Sequence, residues 1–305
     1  IEYLMLGDGQ RIGEKYNIYR LSSTKLLAQR SEKQPITNAS VFGGFDYDLP
    51  TELMAELHNG INNYTNELVT ASNEEDLAMQ RSIFDLDNTV ADSLSLRGSV
   101  HYLQGTLDEV ERIGEQLMQH NVATDMFIRE MGIEENFKAL SGKKNSIVHI
   151  ATHGFSFHEK HEGRKILSSV LGDSWTVSVS DANLNYSGLL FSGANNILNG
   201  RVLPPKVENG ILTSREISML DLRGADMIVL SACETGLGDI KEDGVFGLQR
   251  GFKKAGAQTI LMSLWSVNDR ATQMMMTSFY QALMEGNSRH AALKAAQEKA
   301  RAAGC

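Results

Sequence analysis

Three stretches of the chain are short and almost wholly apolar: "SIVHIAT" at 146–152, "ADMIVLSA" at 225–232 and "AQTILMSLW" at 257–265. Apolar runs of this length, bounded by turn-forming residues, predict strands buried on both faces. Between and around them the spacing changes to that of helices. In "GTLDEVERIGEQLMQH" (105–120), Leu107, Val110, Ile113 and Leu117 fall on one face, and Thr106 with Glu109 has the spacing of a capping box. "TSREISMLDL" repeats that start signal with Thr213 and Glu216. "VFGLQRGFKKAG" places Val245, Leu248, Phe252 and Ala255 on one side, and two further helices are predicted at about 269–285 and 288–303. A short buried strand is expected from Ser40 to Phe45, another strand in "TDMFIREMG", and a helix in "IEENFKALSG" that Gly142 ends.

Short buried strands alternating with amphipathic helices imply βαβ units and a mainly parallel sheet. Other stretches fit less regular structure. "EYLMLGDGQRIGEKYNIYRLSS" reads as two strands around a Gly-containing turn, an N-terminal β-hairpin in a lead-in of residues 1–40. The main domain then runs over 41–305, with a polar, helical insertion at about 50–98. From 155 to 210 the pattern is loose, with a strand expected in "SGLLFSG".

Composition narrows the classes. With 305 residues and 42% hydrophobic content the chain can build a full core. A net charge of -9, a pI near 5.4 and no dense Lys/Arg run argue against a nucleic-acid partner. Two cysteines cannot form a disulfide framework, which favours a reducing, cytoplasmic setting. No stretch has the apolar length of a membrane helix. A start on Ile1 and an end inside a helical pattern suggest a fragment of something longer.

Two strand ends carry chemistry. "VHIATHGF" (148–155) ends its apolar run on His153, and "VLSACETGLG" (229–238) ends on Cys233. In a parallel sheet, ligands bind outside the carboxyl ends of the strands. If the two strands are neighbours, both side chains emerge at that edge. An imidazole can take the proton of a thiol and return it to a leaving amine. The backbone N–H groups of Gly154 and Cys233 then suit the oxyanion of a tetrahedral intermediate. The reaction class is acyl transfer, in first place peptide-bond hydrolysis, with no metal or other cofactor needed. Against this stands a plainer reading, since a lone strand-end cysteine is usually a small buried hydrophobe and the histidine a satisfied core residue. The residues alone leave both open.

Weaker signals surround the pair. His149, His153, His158 and His161 cluster in sequence but lack the spacing of a zinc site, and His149 reads as structural. "GLGDIKEDG" fits no phosphate-loop pattern and reads as an acidic loop. Met274, Met275 and Met276 read as helix core. Asp46 and Asp48, just past a predicted strand, are candidates for a pocket that takes a basic side chain.

"VHIATHGF", "GILTSREISMLDLRGADMIVLSACETGLG" and "GVFGLQRGFKKAGAQTILMSLWSVND" together resemble the CHAT domain family over about Val41 to Arg301. That family stands with caspases, separases and gingipains among caspase-like cysteine peptidases. The resemblance implies a three-layer α/β/α sandwich, His153 as general acid/base and Cys233 as nucleophile. The caspase signature around the cysteine is absent: the chain has Ser231–Ala232–Cys233–Glu234–Thr235. Ser231 and Glu234 are the substrate-pocket candidates beside the cysteine, and Ser231 offers little charge selectivity for an acidic residue. CHAT domains are usually C-terminal effectors of longer bacterial proteins, attached to helical repeats. Several act in defence systems by cutting a companion such as a bacterial gasdermin. The resemblance therefore implies a protein or peptide substrate and an upstream repeat or sensor region. The alternative is a latent or non-catalytic interaction module, and a thioesterase or acyltransferase could use the same dyad.

Overall fold

The computed structural model describes residues 35–65, 99–156, 184, 187–231, 242–263 and 269–304. The chain divides into two compact units, Ile1–Pro35 and Ile36–Cys305, and the architecture below is that of the second. The N-terminal hairpin, most of the polar insertion, His158, His161, Cys233 and Glu234 lie outside the described residues.

Five strands form the central sheet: β1 (Asn38–Phe45), β2 (Ala123–Arg129), β3 (Asn145–Ala151), β7 (Ala225–Ser231) and β8 (Thr259–Met262). Their order is β2-β1-β3-β7-β8 and every pairing is parallel. All seven residues of β3 are buried, as the apolar run at 146–152 predicts. Successive side chains of a strand point to opposite faces, and each face meets its own helices. Phe42, Val148, Ile150, Ile228 and Leu230 pack with Phe137, Ile217, Leu248 and Phe252. Those partners come from α3 (Glu134–Lys138), α5 (Ser214–Met219) and α6 (Glu242–Lys254). Val41, Ile147, Met227 and Val229 pack on the other face against α2 (Gln104–Gln119), α7 (Asp269–Met284) and α8 (Arg289–Ala302). This is a three-layer α/β/α sandwich of the caspase-like kind.

Beside it lies a three-stranded antiparallel sheet of β4 (Gly154–Ser156), β5 (Ser187–Leu190) and β6 (Ile211–Thr213). Only β5 is legible in the sequence. α1 (Thr51–Thr65) opens the polar insertion with the expected helix, and α4 (Ala194–Leu198) follows β5.

Three expectations need correction or refinement. The strand in "AQTILMSLW" is only half-buried, because β8 has a single described neighbour in the sheet. The Thr213/Glu216 capping box is present in full, whereas the matching box at Thr106/Glu109 is not. The Thr106 hydroxyl donates to the Leu103 carbonyl and accepts the Gly44 N–H, and Glu109 is drawn under the sheet. The cause is close packing of α2 on β1. Gly44 adopts φ +61 at an irregularity in β1, and a Cβ there would strike Leu107. Met276 is core, while Met274 and Met275 are half-buried.

Candidate active site

In the order β2-β1-β3-β7-β8 the connections leave β1 and β3 in opposite directions along the sheet. That reversal is a topological switch point, and in open parallel sheets ligands bind outside the carboxyl ends of the strands at such a point. Four sequence-predicted residues lie at that edge: Asp46 and Asp48 after β1, His153 after β3, and Ser231 at the end of β7.

The register of β3 against β7 is the central datum. Ala151 pairs with Ser231, so His153 and Cys233 are each two residues past the same rung. Neighbouring strands are about 4.8 Å apart.

The His153 side chain is buried and fixed from several sides. Its Nε2 lies 2.8 Å from the His101 carbonyl oxygen. A carbonyl only accepts, so Nε2 carries a proton and donates in this contact. The Tyr47 ring stands 5.2 Å from the imidazole, centroid to centroid. The Tyr47 hydroxyl accepts the His153 backbone N–H at 3.4 Å and shares a hydrogen bond with Thr152 Oγ1 at 2.9 Å. Thr152 in turn donates to the Leu190 carbonyl. Burial pushes the Tyr47 phenol up to about 12, so it stays protonated and available as a donor.

Gly154 faces Leu189 across the β4–β5 ladder, while Leu190 N–H bonds the His153 carbonyl. That pattern makes Gly154–Leu189 a wide pair, whose N–H groups point away from the partner strand. The Gly154 N–H is therefore not spent on β5.

Asp46 and Asp48 are both exposed and both bonded within the fold. Asp46 Oδ1 accepts the Asp48 N–H at 3.1 Å, closing the turn. Asp48 Oδ1 accepts from Asn195 Nδ2 at 2.9 Å. Ser231 is buried, and its hydroxyl donates to Glu109 Oε2 at 3.0 Å. Glu109 Oε1 lies 3.1 Å from His149 Nε2, and His149 Nδ1 lies 3.1 Å from the Tyr280 hydroxyl. His149 thus sits in a buried polar cluster beneath the sheet, consistent with a structural residue. Burial, with the Glu109 carboxylate beside it, holds the Tyr280 phenol well above its ordinary range.

A second polar cluster lies elsewhere in the fold. Glu134, Glu208 and Glu216 bring one oxygen each to within 4.8 Å of one another. Lys138 Nζ fills the place that a cation would take, at 2.7 Å from Glu134, 2.9 Å from Glu208 and 2.7 Å from Glu216. The ammonium neutralises part of the charge internally, so the cluster reads as a brace between α3, the segment before β6 and α5.

The family model of the CHAT domain matches residues 1–305, the whole chain and more than the motifs alone cover. The chain belongs to the CHAT domain family. Among curated proteins, this CHAT domain is similar to tetratricopeptide repeat protein 28 of Mus musculus, with 36% identity over 90 residues. The human protein of that name gives 35% over 89 residues. Each match takes in 29% of this chain and 4% of the relative's length. Among the described residues, no helix is long and apolar enough to cross a membrane.

Sequence reasoning missed three parts of this edge. The His101 carbonyl is a backbone group and leaves no mark in residue type. Tyr47 and Asn195 act through partners far away in the chain.

Proposed function

We propose that this CHAT domain is a cysteine endopeptidase with His153 as its general base and Cys233 as its nucleophile. One observation supports the reading: Ala151 pairs with Ser231 on adjacent parallel strands, and His153 and Cys233 each follow that pair by two residues in sequence, with His153 Nε2 bonded to the His101 carbonyl. In the proposed reaction Nδ1 of His153 takes the Cys233 thiol proton, and the thiolate sulfur attacks the scissile carbonyl carbon. The Gly154 and Cys233 N–H groups receive the oxyanion. On collapse, the imidazolium returns its proton to the leaving amine. Water, deprotonated by the same nitrogen, then releases the acyl group and restores the thiol.

The substrate class is protein or peptide, and Asp46, Asp48, Ser231 and Glu234 are the candidate pocket residues. Similarity to tetratricopeptide repeat proteins supports a helical-repeat region as the natural partner of this domain. A reducing, cytoplasmic setting, read from the two cysteines, and an effector role in defence, implied by the family resemblance, belong to the same proposal.

The test is a map of new amino termini by mass spectrometry, after incubating a denatured proteome with the protein or with Cys233→Ala. Cuts that depend on the cysteine support the peptidase. An identical map from both proteins contradicts it and favours the interaction-module alternative.

A further inference from the structure

The strap at 99–103 brings the His101 carbonyl to His153, and among the described residues Asn195 makes two of the hydrogen bonds that tie it to the rest of the fold. Asn195 Oδ1 accepts the Val100 N–H at 2.8 Å, and Asn195 Nδ2 donates to the Val100 carbonyl at 3.0 Å. One amide thus pairs both backbone groups of the residue before His101, as a neighbouring strand would. The second hydrogen on Nδ2 goes to Asp48 Oδ1. Both Nδ2 hydrogens are donated and Oδ1 accepts one bond, which fixes the orientation of the amide. Asn195 is 1% exposed and Val100 6%, so these bonds are out of reach of competing water. Ser99 adds a weaker tie, donating to Asn199 Oδ1 at 2.8 Å on the surface.

The base of Asn195 is fixed as well. Its backbone N–H bonds the Tyr47 carbonyl at 2.9 Å, and the Gly193 N–H bonds the Asp46 carbonyl at 2.9 Å. Ser192 Oγ accepts the Asp46 N–H. The start of α4 and the turn after β1 are therefore zipped together. One side of that unit carries Tyr47, which touches the His153 ring and backbone. The other carries Asn195, which holds the strap whose carbonyl meets Nε2.

We propose that Asn195 is a positioning residue for His153, acting through the Val100 backbone and the His101 carbonyl, with Asp48 orienting the amide. The inference rests on the His153–Cys233 dyad proposed above. It gives Asp48 a role that needs no contact with substrate. If the carbonyl drifts from Nε2, the imidazole loses the bond that selects its tautomer and fixes its plane. The thiol of Cys233 then behaves more like an ordinary one, with a pKa near about 8.5.

The experiment measures the rate of Cys233 alkylation by iodoacetamide from pH 5 to 9, with Cys305 as the internal comparison, in the full chain. The variants are Asn195→Leu, Asp48→Ala and Asp48→Asn. Misplaced catalytic groups cost up to about a hundredfold, so about a tenfold slowing at pH 6.5 is expected for Asn195→Leu. A smaller slowing is expected for Asp48→Ala, with both profiles shifted toward that of Cys305. Asp48→Asn restores an acceptor and recovers the wild-type profile. Asp48 is exposed, so its variants report even if Asn195→Leu fails to fold. A fast wild-type Cys233 whose profile is unmoved in Asp48→Ala and in any folded Asn195→Leu would overturn the relay and leave the dyad standing. A wild-type Cys233 no faster than Cys305 would overturn the dyad, and the relay with it.

Discussion

Nε2 of His153 donates to the carbonyl oxygen of His101, 2.8 Å away and 52 residues earlier in the chain. The bond uses a ring nitrogen that carries a proton, and the proposed dyad assigns the role of base to Nδ1. Replacing His153 by Ala removes the donor from a carbonyl in a part-buried site. The expected cost is about 1–3 kcal/mol of folding stability for the acceptor left unsatisfied, with the ring's packing against Tyr47 lost in addition. Urea unfolding measures it without reference to any substrate. A loss of this size together with loss of all Cys233-dependent chemistry is the expected combination.

Tyr47→Phe should separate orientation from chemistry. The phenyl ring still stacks beside His153, but the partner of the Thr152 hydroxyl and of the His153 N–H is gone. About 1–2 kcal/mol of stability should be lost. Thermal unfolding gives the first number, and the Cys233 alkylation rate, expected to fall while remaining above that of Cys305, gives the second.

How much of this could be read from residues alone is shown by two motifs of the same form. Thr213 with Glu216 and Thr106 with Glu109 have the same spacing, and only the first makes a capping box. At the second, tertiary partners outbid the local ones. Gly44 takes the threonine, and the buried Ser231 and His149 take the glutamate. The parallel sheet was legible because burial on both faces writes continuous apolar runs such as 146–152. The half-burial of β8 was not, since an edge position depends on what lies beside the strand. His153 was legible as a strand-end residue of the right chemical type. Asn195 was not, because "SGANNILNG" is locally a loop pattern and its partners are 95 and 147 residues away.

Ser231 links the sheet edge to the buried Glu109. Ser231→Ala leaves Glu109 Oε2 without that donor, and an unsatisfied buried acceptor costs about 1–3 kcal/mol. Ser231→Thr keeps the hydroxyl and should retain most of the lost stability. Chemical denaturation of the two variants side by side checks this, and equal stabilities would refute the assignment.

Lys138 holds three carboxylates together. Lys138→Met keeps the length of the side chain and removes the charge, leaving Glu134, Glu208 and Glu216 to repel one another. Breaking a buried pair by removing one partner costs about 3–5 kcal/mol. Differential scanning calorimetry should show a lowered Tm, partly recovered when Glu208→Gln is added.

The same cluster sets a pH dependence. Burial raises the Glu134 carboxyl well above the ordinary range, and burial also raises Glu208. Between the ordinary glutamate value of about 4.3 and the raised ones, the folded state binds more protons than the unfolded state. Stability from these groups is therefore present at the acidic end and is lost as pH rises through the raised values. Lys138, raised by the carboxylates against the opposing effect of its burial, stays charged throughout this window. Unfolding free energy followed from pH 5 to pH 8 should fall through this contribution, and Glu208→Gln should flatten the slope. A slope identical in the variant would remove Glu208 from the cluster's titration.

The most direct measurement of the central claim is the alkylation rate of Cys233 against that of Cys305, in the wild-type chain and in His153→Ala, from pH 5 to 9. The dyad predicts a Cys233 that reacts far faster than Cys305 at and below pH 7, and that falls to the rate of an ordinary thiol when His153 is removed. Equal rates for the two cysteines in the wild type, or a fast Cys233 that does not depend on His153, would contradict it.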